Sequence, residues 1–493
     1  MKAPHVTGAR RIRRAVLLAA ALLSATALAA PARAAAGPAS VPDSVPPAAR
    51  SGAVTAAAAA PAVTASDFRL KAGTDLSGRV NDLLAALPTQ GVQNLMDQAN
   101  RTATSGSACA TDPFGTGDGG IAPLPPAVKW CWDSGDAVGK EWIPQAVTGV
   151  SDAQADEYWG TKRPVVVSWY DDNTYCPSAG SNACYEKGVR LSVLDPDTGK
   201  YRHVLLAYPF YNSYGHISYQ PIDIHAGGMA WYKYRLYVAD TLHGLRVFDL
   251  RDILDLDPDQ NPATDDPTPD GLTSDVQDGS QMGRQNNVWY SYGYRYVLPQ
   301  TASYDFVAAQ SNTSAGTCAA SGAPKASYLS IDRSSSPHQL VMGEYCTTDA
   351  THTGNGRIGA LPIDDTDGSL SADGGVVSPA GVWDLPEKQI QGAARYDGHW
   401  YLNQSHRYSD ASLWRAAVGT DGTLAVAGSE LRTAVGAEDM YVEHGQATGG
   451  PQLLWSLTEH RADTEDSSCD AKSATPCGRI LYAHRISDIL AQP

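Results

Sequence analysis

Three histidines sit just after short apolar runs of this 493-residue chain: His243, His406 and His460. Arg407 and Arg461 follow two of them directly, and Glu459 precedes the last. Imidazole moves protons near neutral pH, and a guanidinium fork binds a carboxylate. His225 stands before another apolar run, as do Gln145 and Gln391, while Asp172 and Gln404 follow such runs. Glu459 with Asp172 offers a second chemistry, a pair of carboxylates for glycoside hydrolysis. The segment 208–219 is rich in Tyr with Gly and Ser, and Tyr214 and Tyr219 in it suit stacking on sugar rings. Asp255, Asp257, Asp259 and Asp266 carry oxygens at calcium-loop spacing. Gln260 takes the place of the turn glycine and Asp266 that of the long Glu, so a solvated acidic loop is the competing reading. Metal is therefore expected to be absent, or to be Ca2+ on this loop. No Gly-x-Ser-x-Gly, P-loop or His-Glu-x-x-His motif occurs.

These residues need a scaffold that brings distant loops together. From about residue 140, runs rich in Val, Leu, Tyr and Trp alternate with Gly/Asp/Pro/Ser clusters, the pattern of strands and turns. The runs include 164–170, 189–194, 203–208, 235–239, 245–250, 294–298, 340–344, 399–402, 453–457 and 480–484. Gly228-Met229-Ala230-Trp231-Tyr232 with Tyr237 matches Gly392-Ala393-Ala394-Arg395-Tyr396 with Tyr401. Val288-Trp289-Tyr290, Asp439-Met440-Tyr441 and 144–147 read as looser copies. Units of about 55 residues predict an all-β fold, a β-propeller of about six four-stranded blades, with a seventh allowed by the spacing. A short helical segment precedes it, with apolar periodicity at Leu76, Val80, Leu83 and Leu87 and again at Val92, Leu95 and Met96. In a propeller, the loops before each innermost strand and between the second and third strands open on one face. That places His225, Gln145, Gln391 and the His/Arg loops together. Glu443 and His444 are expected on the opposite face.

The expected organisation is a signal peptide at 1–34, an Ala/Pro-rich linker at 35–65, a helical and loop region at 66–139, and the propeller at 140–493. Residues 1–34 hold six basic residues and no acid, then an uncharged Ala/Leu-rich run and Ala32-Arg33-Ala34. Eight cysteines fall as neighbours: Cys109/Cys131, Cys176/Cys184, Cys318/Cys346 and Cys469/Cys477. Sequential pairing is expected, and disulfides suit a secreted, extracellular chain. The formal charge is −16, and −22 once the leader's six basic residues are removed, which excludes nucleic acid as a partner. No membrane span is expected after signal cleavage, and a monomer is expected. There are 24 Tyr and 11 Trp against 5 Phe, which points to many half-wet ring positions.

The segment Ile224-His225, with 226–232, Leu236-Tyr237-Val238-Ala239-Asp240-Thr241 and 244–250, resembles a group of secreted, mostly uncharacterised actinobacterial β-propeller proteins. More distantly it is similar to propeller lyases that remove rhamnose from glucuronate on plant gum. The resemblance implies a catalytic His at the channel mouth, matched by His225, an Arg near the uronate, and is compatible with bound calcium. The expectation is a secreted propeller enzyme that binds and cleaves an extracellular polysaccharide or oligosaccharide. A lyase stands ahead of a glycoside hydrolase. The alternative is a non-catalytic carbohydrate- or protein-binding propeller at the cell surface.

Overall fold

Each of the apolar runs between 164 and 484 overlaps a β-strand. The computed structural model describes residues 63–115, 120–172, 175–176, 181–258, 273–311, 317–347, 355–462, 469 and 476–493. The leader at 1–34 and most of the linker at 35–65 lie outside these. Innermost strands such as Met229–Tyr232 are buried along their whole length, because a neighbouring sheet covers each face.

The pairing gives five four-stranded antiparallel blades among the described residues, where the repeat spacing predicts about six or seven. The first runs Trp142–Gly149, Val165–Asp171, Val189–Leu194, Lys200–Tyr211. The second runs Met229–Tyr232, Arg235–Asp240, Gly244–Asp249, Tyr296–Phe306. The third runs Tyr328–Asp332, Gln339–Gly343, Arg357–Pro362, Gly381–Asp384. The fourth runs Ile390–Tyr396, His399–Gln404, Asp410–Val418, Leu424–Val426. The fifth runs Ala437–Glu443, Leu453–Thr458, Ile480–Arg485 and, from far earlier in the chain, Val128–Cys131. Thus the region 66–139 supplies the outer strand of the last blade.

The difference in count has a concrete cause. Gly228 and Gly392 open the innermost strands of the second and fourth blades, so their spacing spans two blades. The second blade is lengthened by an insertion, in which Val288–Ser291 joins a separate three-stranded sheet. The copy at Val288-Trp289-Tyr290 is therefore not a blade.

The five innermost strands pack side by side in a ring. Trp231 N donates to Thr148 Oγ1 at 2.9 Å, and Ser330 Oγ to the Ala393 carbonyl at 2.6 Å. The repeated glycines allow this approach. A Cβ at Gly228 would meet the Tyr328 backbone at 2.5 Å, and one at Gly392 the Glu438 carbonyl at 2.7 Å. Asp439 sits within the ring, fully buried, and accepts from Met229 N at 3.2 Å. Burial pushes its carboxyl well above the usual range, against the pull of backbone amides that include those of Val147 and Leu329.

Trp169, Trp231, Trp400 and Trp455 are fully buried. Burying each contributes roughly 1.5–3 kcal/mol or more. Much of the aromatic content is thereby absorbed by the blades. Helices Ser77–Ala86 and Val92–Asp97 flank Pro88 and lay Leu83, Leu87, Val92 and Leu95 on the first two blades. Four disulfides join the cysteines in sequential pairs. Among the described residues no helix is long and apolar enough to cross a membrane.

Candidate functional site

One irregularity recurs where three innermost strands begin. The register slips between Pro144 and Ala146, between Ile390 and Gly392, and between Ala437 and Met440. A β-bulge re-aims the extra residue. The extra residues are Gln145, Gln391 and the pair Glu438-Asp439, in the first, fourth and fifth blades. His225 comes from the segment before the second blade, where Ala226 takes a φ of 53°.

The amides and carboxyls meet at the mouth of the ring. Gln145 Nε2 donates to Glu459 Oε2 at 3.1 Å, and Gln391 Nε2 to Glu438 Oε1 at 3.1 Å. Burial, then the charge of Glu459, pushes Glu438 well above the usual carboxylate range. Glu438 therefore holds its proton at pH values where an exposed glutamate has lost it.

Beside it the rings of Tyr170 and His225 lie 4.6 Å apart. His225 has solvent-exposed surface at the mouth, yet its crowded surroundings lower its pKa, opposed by the Glu459 charge. The Tyr170 hydroxyl is pushed up by burial, then by Glu459 and Asp172. At neutral pH this pairs a neutral imidazole with a protonated phenol.

A cavity of about 280 Å3 opens next to these groups. Asp172, Glu459, His460 and Arg461 line it with Lys140 and Arg479. His460 Nε2 donates to the Arg407 carbonyl at 3.0 Å, tying the fourth blade to the fifth, and its ring packs on Tyr408. The third blade contributes Tyr345, whose hydroxyl is pushed up by burial, then by the charge of Glu438, against the opposing pull of Gln389 and Arg407. Arg479 is buried and spends its donors on the carbonyls of Glu459, Asp136 and Gly139. Desolvation, then Arg461 and Arg190, lowers its pKa to about 9.

The structure thus brings Gln145, Asp172, His225, Gln391, Arg407, Glu459, His460 and Arg461 to one mouth. Other named residues lie elsewhere. His243 pairs with Asp240 at 2.8 Å and lines a cavity on the second blade with Tyr208 and Arg246. His406 turns to Ser412 Oγ at 2.7 Å, within its own blade. Gln404 is buried between the Lys388 carbonyl and Trp414 Nε1. Tyr219 is buried against Trp289 and donates to the Tyr290 carbonyl, so it offers no face to a ligand. Tyr214 is 84% exposed on the turn between Lys200–Tyr211 and Ile217–Pro221. His444 is on the opposite face of the ring, 2.7 Å from Asp152.

The calcium reading loses its first ligand. Asp255 is fully buried, and Arg295 Nε and Nη2 occupy its two oxygens at 2.6 and 2.7 Å. Asp257 donates its amide to Asp255, and Asp259 and Asp266 lie outside the described residues. Cys318, Glu344 and Cys346 come close enough to suggest a metal site. The two cysteines form a disulfide, and Glu344 is clasped by Arg357, so no such donor set remains.

Tyr170, Glu438, Tyr345 and Arg479 complete the site, and the sequence reading does not single them out. Glu438 was within reach. Aligning Asp439-Met440-Tyr441 on Gly392-Ala393-Ala394 puts it opposite Gln391.

No family model matches this chain, and no curated protein does. Among solved structures it is similar in fold to a lectin of the fungus Aleuria aurantia, described as a six-bladed β-propeller with a novel fucose recognition mode. The identity is 10% over 64% of this chain and 71% of that one, with a TM-score of 0.25.

Proposed function

We propose that the chain is a secreted propeller enzyme that binds an extracellular polysaccharide at the channel mouth and cleaves it by β-elimination next to a uronate. The observation that carries this reading is the Tyr170–His225 pair, standing 4.6 Å apart beside a cavity lined with cationic side chains. Neutral His225 takes the proton from the carbon next to the carboxylate. Arg461 and Lys140 bind that carboxylate and stabilise the charge that develops on it. The bond from the neighbouring carbon to the glycosidic oxygen breaks, and the Tyr170 hydroxyl gives its proton to the leaving oxygen. The electron pair left by the first proton becomes the new carbon–carbon double bond. The leader at 1–34 and four disulfides support export.

A second reading has its own observation, that Asp172 and Glu459 line the same cavity. Two carboxylates there suit hydrolysis of a neutral glycan, and the charge of −22 without the leader favours such a substrate at long range.

Incubation with gum arabic, arabinogalactan and neutral glycans separates these. An absorbance rise near 235 nm signals an unsaturated product and supports the lyase. Reducing ends without that absorbance support the hydrolase. Binding with neither signal leaves a non-catalytic carbohydrate binder and sinks both enzymes.

A further inference from the structure

A second cavity, of about 360 Å3, opens on the outer side of the first blade. Its origin lies in the ladder. Strand Lys200–Tyr211 pairs along one edge with Arg101–Thr102 up to Tyr201, and with Tyr296–Phe306 only from Leu205. The edge at 202–204 lies between these two partners, and the cleft sits there.

Its lining is cationic in an acidic chain. Arg101, Lys187, Arg190, Arg202 and Arg295 face only two lining carboxylates, Asp136 and Glu141. Four of the five have carboxylate partners. Lys187 pairs with Glu141, Arg190 and Arg101 share Asp136 at 2.6 and 3.3 Å, and Arg295 holds Asp255 beneath. Arg202 differs. It donates to the Gln98 carbonyl at 3.0 Å and stands 5.1 Å over the Tyr296 ring, with no carboxylate partner among the described residues. Burial, and then the charges of Arg295 and Arg101, lower its pKa against the opposing pull of Tyr296 and Asp255. A bound anion would relieve that repulsion. Tyr292 and Tyr294 add aromatic surface to the lining.

The position is as telling as the charge. Gly139, Glu141 and Trp142 line this cleft, whereas Lys140 and Ile143 line the mouth cavity. One short segment separates the two.

We propose that this cleft is a second saccharide site, in which Arg202 binds the carboxylate of a uronate residue. The proposal rests on the reading of the mouth as a glycan site only in taking both residues to belong to one polymer.

The test is titration with D-glucuronate, D-glucose and inorganic sulfate, followed by calorimetry and ligand-observed NMR. Wild type and the Arg202→Gln, Arg202→Lys and Arg461→Gln variants are compared. Expected, in the Arg461→Gln background that removes the mouth's own uronate contact, is saturable glucuronate binding that weakens about tenfold or more when Arg202→Gln is added and is partly restored by Arg202→Lys, with glucose unbound. Glucuronate binding untouched by Arg202→Gln, or absent altogether, overturns the proposal. So does equal binding of glucose. Sulfate binding as tightly as glucuronate reduces the cleft to an anion site and overturns the sugar assignment. Failure of the mouth reading looks different: gum is not cleaved, while the Arg202-dependent binding of glucuronate persists.

Discussion

Gln145 Nε2 donates to Glu459 Oε2 at 3.1 Å, across the seam where the first blade meets the fifth. One hydrogen bond thus couples closure of the ring to the position of the carboxylate that faces His225, Tyr170 and Glu438. Assembly of the site and completion of the fold are one event at this seam.

On the proposed elimination, the pH dependence of cleavage follows from His225. It acts as a base only when neutral, and its pKa lies below the ordinary 6.5. The acidic limb of kcat/KM is therefore expected below pH 6.5. Glu459 raises the His225 pKa, so Glu459→Gln moves the limb further down. A profile over pH 4–9 checks both, and a limb above 6.5 rules out His225 as this base. His225→Ala is expected to lower kcat by roughly a hundredfold or more while gum still binds.

Glu438 makes the opposite contribution to stability. Its folded pKa is raised, so between the ordinary 4.5 and that higher value the native state holds a proton the unfolded chain has lost. Stability then falls as pH rises through that window. Glu438→Gln keeps an acceptor for Gln391 and removes the proton linkage. It is expected to stabilise the fold at pH 8 by about 1 kcal/mol or more and to change it little at pH 4. Denaturant melts at the two pH values decide.

On the acid side His484 contributes together with His203, whose pKa burial also lowers to about 4. His484 is buried against Phe114 and Tyr482, and burial lowers its pKa to about 4. The unfolded chain takes up a proton near 6.5 that the folded chain refuses until about 4. Stability is lost as pH falls across that window, by up to about 3 kcal/mol. His484→Gln should flatten this part of the curve. An unchanged slope would show that His484 does not carry it.

The closing strand Val128–Cys131 is anchored by the Cys109–Cys131 disulfide. Replacing both cysteines by Ala is expected to cost about 3 kcal/mol. Hydrogen exchange should rise first in Ile480–Arg485, the partner strand. Protection lost evenly over all blades would contradict this order.

Strands were legible in the sequence because each blade repeats apolar runs between turn residues. Their assembly was less so. The inserted strands Ser274–Asp275, Met282–Gln285 and Val288–Ser291 and the closing strand obey the same local rules as any other strand, and only pairing distinguishes them. The mouth was legible where a residue's place followed from the repeat, as for His225, Gln145 and Gln391. Within the loops it was not. Arg407 has a φ of 60°, and from His406 the chain turns so that the imidazole faces Ser412 rather than the mouth. A shared loop position does not fix a shared direction.

The outer strand of the fifth blade also has a consequence in time. Val128–Cys131 is synthesised long before Ile480–Arg485, its partner. The fifth blade cannot be sealed until Ile480–Arg485 has been made. Such a long-range contact slows folding, so a nascent chain waits with its first blade unsealed. The mouth, which draws on the first and fifth blades, is therefore silent in any nascent chain that has yet to reach Glu459, His460 and Arg461.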